Sequence, residues 1–306
     1  MEYLCLAYDD SPDARGLARF RSAEAERSYR AAYGQVLSLW PVPFTELTVS
    51  TPFAQTHVIA SGPEAGPSLI LLHATGTSST VWFPNAGDLS RTHRTFAIDI
   101  VNEPGLTRQT RLLRNPDDCA AWLLAVLDEL HIARTILIGS SFGGWLSMNL
   151  VLHEPRRVEK LILLAPAASL LPFSLPTYLL LRLLPYSPVK PGAKQMMQMF
   201  LPGFDVEPRF ARQFDLGVRG FRYANPRKSI FPRPYTDEQL RAISVPTLLL
   251  IGDREKIYDP NKALQRVGRL APAIETELIP GAGHILGMQR AGVVDQRVLA
   301  FLQSGT

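Results

Sequence analysis

This sequence predicts an α/β fold built on a mostly parallel, twisted sheet with helices on both faces, and three observations predict it. Short apolar runs recur at 68–72, 95–98, 135–138, 161–164 and 247–251, each bounded by turn residues. Runs of that length without polar alternation mark strands that are covered on both faces. Helical patterns separate the runs, and alternation of strand and helix builds the crossover connections of a parallel sheet. The chain is also long enough for a sizeable core, with 306 residues of which 46% are hydrophobic and 20% charged.

Residues 1–43 precede the alternation and are read as an N-terminal helical extension. They hold a polar, Arg- and Glu-rich helix candidate over 16–39, stopped by Trp40-Pro41-Val42-Pro43. Residues 44–50 and 51–60 then form an antiparallel strand pair leading into the sheet. The clearest helix follows Asn115, a cap residue, with Pro116 at the first helical position and Asp117 and Asp118 in the first turn. Ala120, Leu123, Leu124, Leu127 and Leu130 give it one buried stripe. A second helix runs from Phe142 toward His153 and ends at Glu154-Pro155. Residues 168–243 are rich in Pro, Met and aromatics and contain no strand-like run. They read as a helical cap insertion over one sheet edge, which divides the core into 44–167 and 244–306. Asp259 before Pro260 reads as another helix cap, and 274–279 as a last strand.

Several function classes are excluded. Apolar content is too high and net charge too low, at +4, for a disordered chain. Two distant cysteines, Cys5 and Cys119, make no disulfide framework. Arg15, Arg19, Arg21, Arg27 and Arg30, then Arg108, Arg111 and Arg114, then Arg227, Lys228 and Arg233 are scattered, with no interleaved aromatics, so no nucleic acid is expected as a partner. The most apolar stretch, 169–186, is interrupted by Pro172, Pro176, Arg182 and Pro185, whereas a spanning helix needs roughly 20 apolar residues; no transmembrane segment is expected. The first residues lack a basic region followed by an apolar one, which makes the cytoplasm the expected compartment. No HExxH, P-loop or Cys-x-x-Cys is present, so neither a metal nor a cofactor is expected.

The chemistry centres on Gly139-Ser140-Ser141-Phe142-Gly143, a G-x-S-x-G pattern. By composition alone such a pattern arises in about one protein in ten of this size. Its context is the stronger signal, because a buried strand ends just before it and a helix starts just after. A strand-turn-helix of this kind forces its central residue into a strained conformation and requires small neighbours two positions away on either side. Ser141 has Gly139 and Gly143 there; Ser140 would have Ile138 and Phe142. A serine hydroxyl becomes nucleophilic only when a base takes its proton and a third group orients the base. His57, His93, His131 and His153 sit in or beside ordinary elements, where a surface or satisfied core place is expected. His284 lies instead in the loop Pro280-Gly281-Ala282-Gly283-His284, directly after a strand candidate, and is the base candidate. The acid is sought after the strand 247–251, where Asp253 and Glu255 both qualify and spacing does not separate them.

With these motifs in this order, the chain from about Phe44 to Leu302 resembles the α/β-hydrolase superfamily, and within it the capped serine esterases of bacteria. The resemblance implies that Glu255, the second carboxylate of its loop, is the triad acid, with Asp253 as the alternative. It also implies an oxyanion hole made by the backbone N–H of Phe142 and of Thr75, the latter in a loop corresponding to His73-Ala74-Thr75. Two departures stand out: Ala74 occupies a position where glycine is usual, with Gly76 following, and Ile100-Val101-Asn102-Glu103-Pro104-Gly105 replaces the usual Asp-x-x-Gly-x-Gly. The second is expected to reshape the pocket wall without touching the triad. His73 is expected to bond backbone rather than do chemistry.

The implied activity is cleavage of carboxylic esters through an acyl-enzyme, with a small-molecule ester carrying an apolar group as substrate. Thioesterase, lactonase and acyltransferase activities use the same triad, and the fold also serves as a low-turnover small-molecule receptor. Phe173, Tyr178, Met196, Met197 and Met199 read equally as pocket lining and as the core of the insertion. Oligomeric state is not legible.

Overall fold

The computed structural model describes residues 16–175, 177, 179, 193–224 and 232–304. In chain order its strands are β1 (Arg19–Phe20), β2 (Phe44–Ser50), β3 (Ala54–Ser61), β4 (Ser68–Leu72), β5 (Arg94–Ile98), β6 (Arg108–Gln109), β7 (Thr135–Ser140), β8 (Val158–Leu164), β9 (Phe221–Arg222), β10 (Thr247–Gly252) and β11 (Glu275–Ile279). Its helices are α1 (Ala23–Leu37), α2 (Ala86–Leu89), α3 (Pro116–Glu129), α4 (Phe142–His153), α5 (Ala193–Phe200), α6 (Pro208–Gly220), α7 (Asp237–Arg241), α8 (Pro260–Leu270), α9 (Leu286–Gln289) and α10 (Ala291–Gln303).

The main sheet runs in the order β11-β10-β8-β7-β4-β5-β3-β2, with β6 added to β3. Every pair from β11 to β5 is parallel; β3 joins β5 and β2 antiparallel. The unbroken apolar runs are explained by where successive side chains go. In β8, Leu161 and Leu163 enter one core and Ile162 and Leu164 the other; β10 divides Leu249 and Ile251 from Leu248 and Leu250 in the same way. A strand with both faces covered has no solvent side on which to place polar residues. Each such leucine contributes about 1.5–3 kcal/mol by leaving water.

The first core lies under α3 and α4, with Trp122, Leu123, Trp145 and Leu146. α3 begins as the sequence predicts: the Asn115 side chain accepts from the Asp118 N–H at 2.8 Å and Pro116 opens the helix. Its buried arc is rotated from the predicted stripe. Trp122 and Val126 are fully buried, whereas Leu124 and Leu130 are only partly so.

Two expectations need correction. The helix expected over 16–39 starts at Ala23, because Ser22 caps it by accepting from the Ala25 N–H and residues 19–20 are drawn into an antiparallel pair with Phe221–Arg222. The stretch 168–243 therefore does contain a strand, β9, two residues long and supplied with a partner from far upstream. The same ribbon places α1 against α6, where Tyr29 accepts a hydrogen bond from Gln213 at 3.1 Å. The Arg- and Glu-rich face of α1 stays in solvent while Tyr29, Tyr33 and Val36 are buried. Among the described residues no helix is long and apolar enough to cross a membrane.

Candidate active site

The site forms at the carboxyl ends of the parallel strands. Ser141 stands between β7 and α4 with φ 52° and ψ −114°, a conformation that costs a non-glycine residue energy and is held only by close packing around it. That packing accounts for the two small neighbours. A methyl group at Gly139 would collide with the Gly143 carbonyl, and one at Gly143 would collide with the Leu72 carbonyl. Hydrogen bonds brace the turn as well: the Ser141 N–H donates to Leu164 O at 3.0 Å and the Gly143 N–H to His73 O at 3.1 Å.

His284 and Glu255 arrive from the loops after β11 and β10. The Ser141 hydroxyl is 2.8 Å from His284 Nε2, and His284 Nδ1 is 2.6 Å from Glu255 Oε2. With Nδ1 facing a carboxylate, the neutral imidazole carries its proton there, and Nε2 is left to accept from serine. The other carboxylate oxygen, Oε1, accepts from the Lys256 and Ile257 N–H groups, both at 2.8 Å. All three residues are buried. Asp253, the alternative acid, is exposed and turned elsewhere, its Oδ1 accepting from the Gly281 N–H at 2.8 Å. It pins the histidine loop without meeting the imidazole.

The glycines of that loop have their own reason. The His284 N–H donates to Phe200 O at 2.9 Å, so α5 is seated directly on the loop. A methyl group at Gly283 would lie 2.5 Å from Pro202 Cδ and 2.6 Å from Phe200 O, and one at Gly252 would collide with Ala282 O. Close approach of three backbones requires glycine at these positions.

The loop after β4 is built to hold one peptide plane still. Ala74 O accepts from the Thr77 N–H at 3.2 Å, from the Thr77 hydroxyl at 2.8 Å and from His73 Nδ1 at 2.9 Å. The Ala74–Thr75 peptide is planar and trans, so fixing that carbonyl aims the Thr75 N–H the opposite way. His73 Nε2 accepts from the Ile100 N–H at 2.9 Å, and burial lowers the pKa of the ring, which keeps it neutral with its proton on Nδ1. His73 thus bonds backbone on both sides. Alanine is accommodated at position 74 because the left-handed residue of this loop is Gly76, at φ 79°. Neither the Thr75 N–H nor the Phe142 N–H has a partner among the described residues.

Sequence reasoning passed over a second buried network. His57 lies between Glu46, at 2.9 Å from Nε2, and Asp99, at 3.2 Å from Nδ1. Burial works against the imidazolium, but both carboxylates raise the pKa of His57. Burial likewise opposes ionisation of Asp99, yet its bonds to His57 and to the Leu106 N–H hold it at about 2. Asp99 Oδ1 also accepts from the Ser79 hydroxyl and N–H, at 2.7 and 2.8 Å. This cluster ties β5 to the segment after β4 and supports the loop that carries Thr75. The signal in sequence was an ionisable residue at the end of an apolar strand, just before the stretch 100–105 that replaces the usual Asp-x-x-Gly-x-Gly.

The aromatic and methionine candidates divide. Met197 is buried within the second core, Met196 packs against that core, Phe173 packs against the first, and Tyr178 lies outside the described residues.

A family model described as "Alpha/beta hydrolase family" matches residues 69–296. The chain belongs to the alpha/beta hydrolase family. Among curated members of that family, it is 41% identical to a protein of Bacillus subtilis (strain 168) named "Uncharacterized carboxylesterase nap" over 282 residues, 91% of this chain and 93% of that protein. It is 35% identical to "Carboxylesterase YbfK" of the same organism, over 94% of this chain and 97% of that one. The crystal structure of the naproxen esterase (carboxylesterase NP) of Bacillus subtilis superposes with a TM-score of 0.86 at 40% identity, covering 92% of this chain and all of that one. Within the alpha/beta hydrolase fold this chain therefore shares its architecture with these relatives along nearly their full length.

Proposed function

We propose that this protein is a carboxylic ester hydrolase that works through an acyl-enzyme on a Ser141–His284–Glu255 triad. The observation that carries the reading is the continuous hydrogen-bonded chain from the Ser141 hydroxyl through both nitrogens of His284 to Glu255. Its similarity over nearly the full length of two proteins named carboxylesterases supports the choice of reaction.

In the first half-reaction Ser141 Oγ attacks the ester carbonyl carbon while His284 Nε2 takes the hydroxyl proton. The carbonyl π electrons move onto oxygen, and the N–H groups of Phe142 and Thr75 stabilise the resulting oxyanion. His284 returns its proton to the leaving alcohol oxygen as the C–O bond breaks. Water then enters, loses a proton to His284 and attacks the acyl-enzyme; collapse releases the carboxylic acid and restores Ser141. Glu255 holds the imidazole in the required tautomer and stabilises the imidazolium formed in both halves. α5 meets the histidine loop and Phe214 of α6 approaches Gly76 in the loop after β4, and the apolar character of the stretch 168–243 favours substrates with an apolar acyl or alcohol group.

The test is labelling with a fluorophosphonate serine probe, read by intact mass and peptide mapping. One adduct, on Ser141 and abolished by prior heating, is the expected result. A folded protein that stays unlabelled and leaves a panel of p-nitrophenyl esters intact would overturn the reading.

A further inference from the structure

Glu103 lies in the segment that departs from the family pattern, and its carboxyl group is buried with no place in the reaction as written above. Its Oε2 accepts from the Gly76 N–H at 2.8 Å. The hydroxyls of Thr75 and Tyr223 act on the same carboxyl group, each favouring its ionised form, while burial opposes ionisation more strongly and pushes its pKa up to about 8. Thr75 and Gly76 belong to the loop whose Thr75 N–H is the proposed oxyanion donor. Tyr223 belongs to the insertion, directly after β9, and its hydroxyl comes within 3.9 Å of where a Gly76 side chain would begin; the Phe214 ring of α6 comes within 3.4 Å of the same point. The neighbouring Asn102, at φ 70°, reaches the insertion too, accepting from the Ala224 N–H at 2.7 Å.

We propose that Glu103 is a positioning residue for ester hydrolysis: anchored on the Gly76 N–H, it holds the Thr75 backbone N–H at the oxyanion position. The inference rests on the hydrolase reading above. Its physical basis is that an oxyanion donor acts only if it is already aimed when charge develops. The Ala74–Thr75 peptide plane is pinned at its carbonyl end by Thr77 and His73. The next plane, between Thr75 and Gly76, is pinned at its N–H end by Glu103 alone among the described residues. Gly76 has the backbone freedom to let that plane turn, and the Glu103 bond removes it.

Protonation then matters to the reaction. The groups facing Glu103 are the Thr75 and Tyr223 hydroxyls and the Gly76 N–H, with the Tyr29 phenol of α1 further off; no basic side chain of the described residues is among them. A carboxylate here would add negative charge against the loop whose Thr75 N–H is to meet the oxyanion. Activity should therefore fall as pH rises through the pKa of Glu103.

The experiment compares wild type, Glu103→Gln and Glu103→Ala on a p-nitrophenyl ester of a short-chain acid from pH 6 to 10. Glutamine keeps an acceptor for Gly76 and cannot ionise; alanine keeps neither property. The expected result is that Glu103→Gln retains kcat within about threefold at pH 7 and loses the alkaline decline near pH 8. Glu103→Ala should lose kcat by about tenfold or more with KM changed less than threefold. Equal kcat in wild type and Glu103→Ala would overturn the proposal, as would an alkaline decline that persists unchanged in Glu103→Gln. If Glu103→Ala fails to fold, the backbone amide resonance of Gly76 decides: it should titrate near pH 8 in wild type and stay fixed in Glu103→Gln, and an amide that does not titrate in wild type overturns the proposal. Wild-type protein that turns over no ester refutes the hydrolase reading separately, and the Gly76 resonance still reports whether Glu103 holds the loop.

Discussion

Glu255 Oε2 lies 2.6 Å from His284 Nδ1, while Oε1 of the same carboxylate is held at 2.8 Å by the N–H groups of Lys256 and Ile257. One oxygen is anchored in its own loop and the other is free for the histidine. The side chain must span the distance between those two tasks, and that sets its length. Shortening by one methylene as in Glu255→Asp should lower kcat by about ten- to a hundredfold, and Glu255→Gln by on the order of 10³ or more, because the amide favours the wrong tautomer. Asp253→Asn should leave kcat within about threefold, because Asp253 meets the Gly281 backbone and not the imidazole. Steady-state kinetics on one ester series checks all three, and a larger loss in Asp253→Asn than in Glu255→Gln would reverse the assignment of the acid.

The two adjacent serines offer a second check. Ser140 Oγ is buried and has no hydrogen-bond partner among the described residues, whereas Ser141 Oγ meets His284. Ser140→Ala should keep kcat within about twofold, and Ser141→Ala should drop it by on the order of 10³ or more while folding normally by circular dichroism. Equal losses in both would show that the hydroxyl at 141 is not special.

Gly283→Ala tests the seating of α5 on the histidine loop. The added methyl meets Pro202 and the Phe200 carbonyl, the acceptor of the His284 N–H. Overpacking of this kind costs about 1–3 kcal/mol, so thermal unfolding should shift down by several degrees. Loss of kcat/KM should accompany the shift, because His284 would lose its backbone anchor. An unchanged melting curve together with unchanged kinetics would mean that α5 does not sit on the loop in solution.

Asp295 gives stability a pH dependence of defined sign. Burial raises its pKa to about 7, against the bond from Asn85 Nδ2 to Oδ1 at 2.8 Å, and its Oδ2 has no partner among the described residues. The folded state thus holds a proton that the unfolded chain releases near pH 4, so stability is full below that pH and declines as pH rises toward 7. The shift corresponds to on the order of 4 kcal/mol. Asp295→Asn cannot ionise and should flatten the decline in Tm between pH 5 and 8. Parallel Tm profiles for the two proteins would rule out the titration.

Much of this was legible from sequence because the rules involved are local. Unbroken apolar runs give parallel strands; Asn115-Pro116 and Asp259-Pro260 give helix starts; glycines at 139 and 143 single out Ser141 from Ser140, because the steric demand of the turn falls on the residues two positions away. What spacing left open was whether Asp253 or Glu255 meets the histidine. That depends on where the β10 and β11 loops lie relative to each other, which is a property of the sheet and not of either loop.

The remaining features are decided by contacts between distant segments. Residues 19–20 look helical by composition but become a strand because residues 221–222 offer an edge to pair with. Gly283 reads as a flexible loop residue, yet its necessity comes from Pro202 and Phe200. Glu103 reads as one polar residue in a divergent stretch, and only the folded chain sets it beneath Gly76 and beside Tyr223. The sequence by itself determined the fold class, the nucleophile's turn and the candidate base, since each follows from backbone sterics and side-chain period within a few residues. The tertiary structure decided which carboxylate reaches His284 and which buried acid meets the Gly76 N–H, since both depend on distances between segments far apart in the chain.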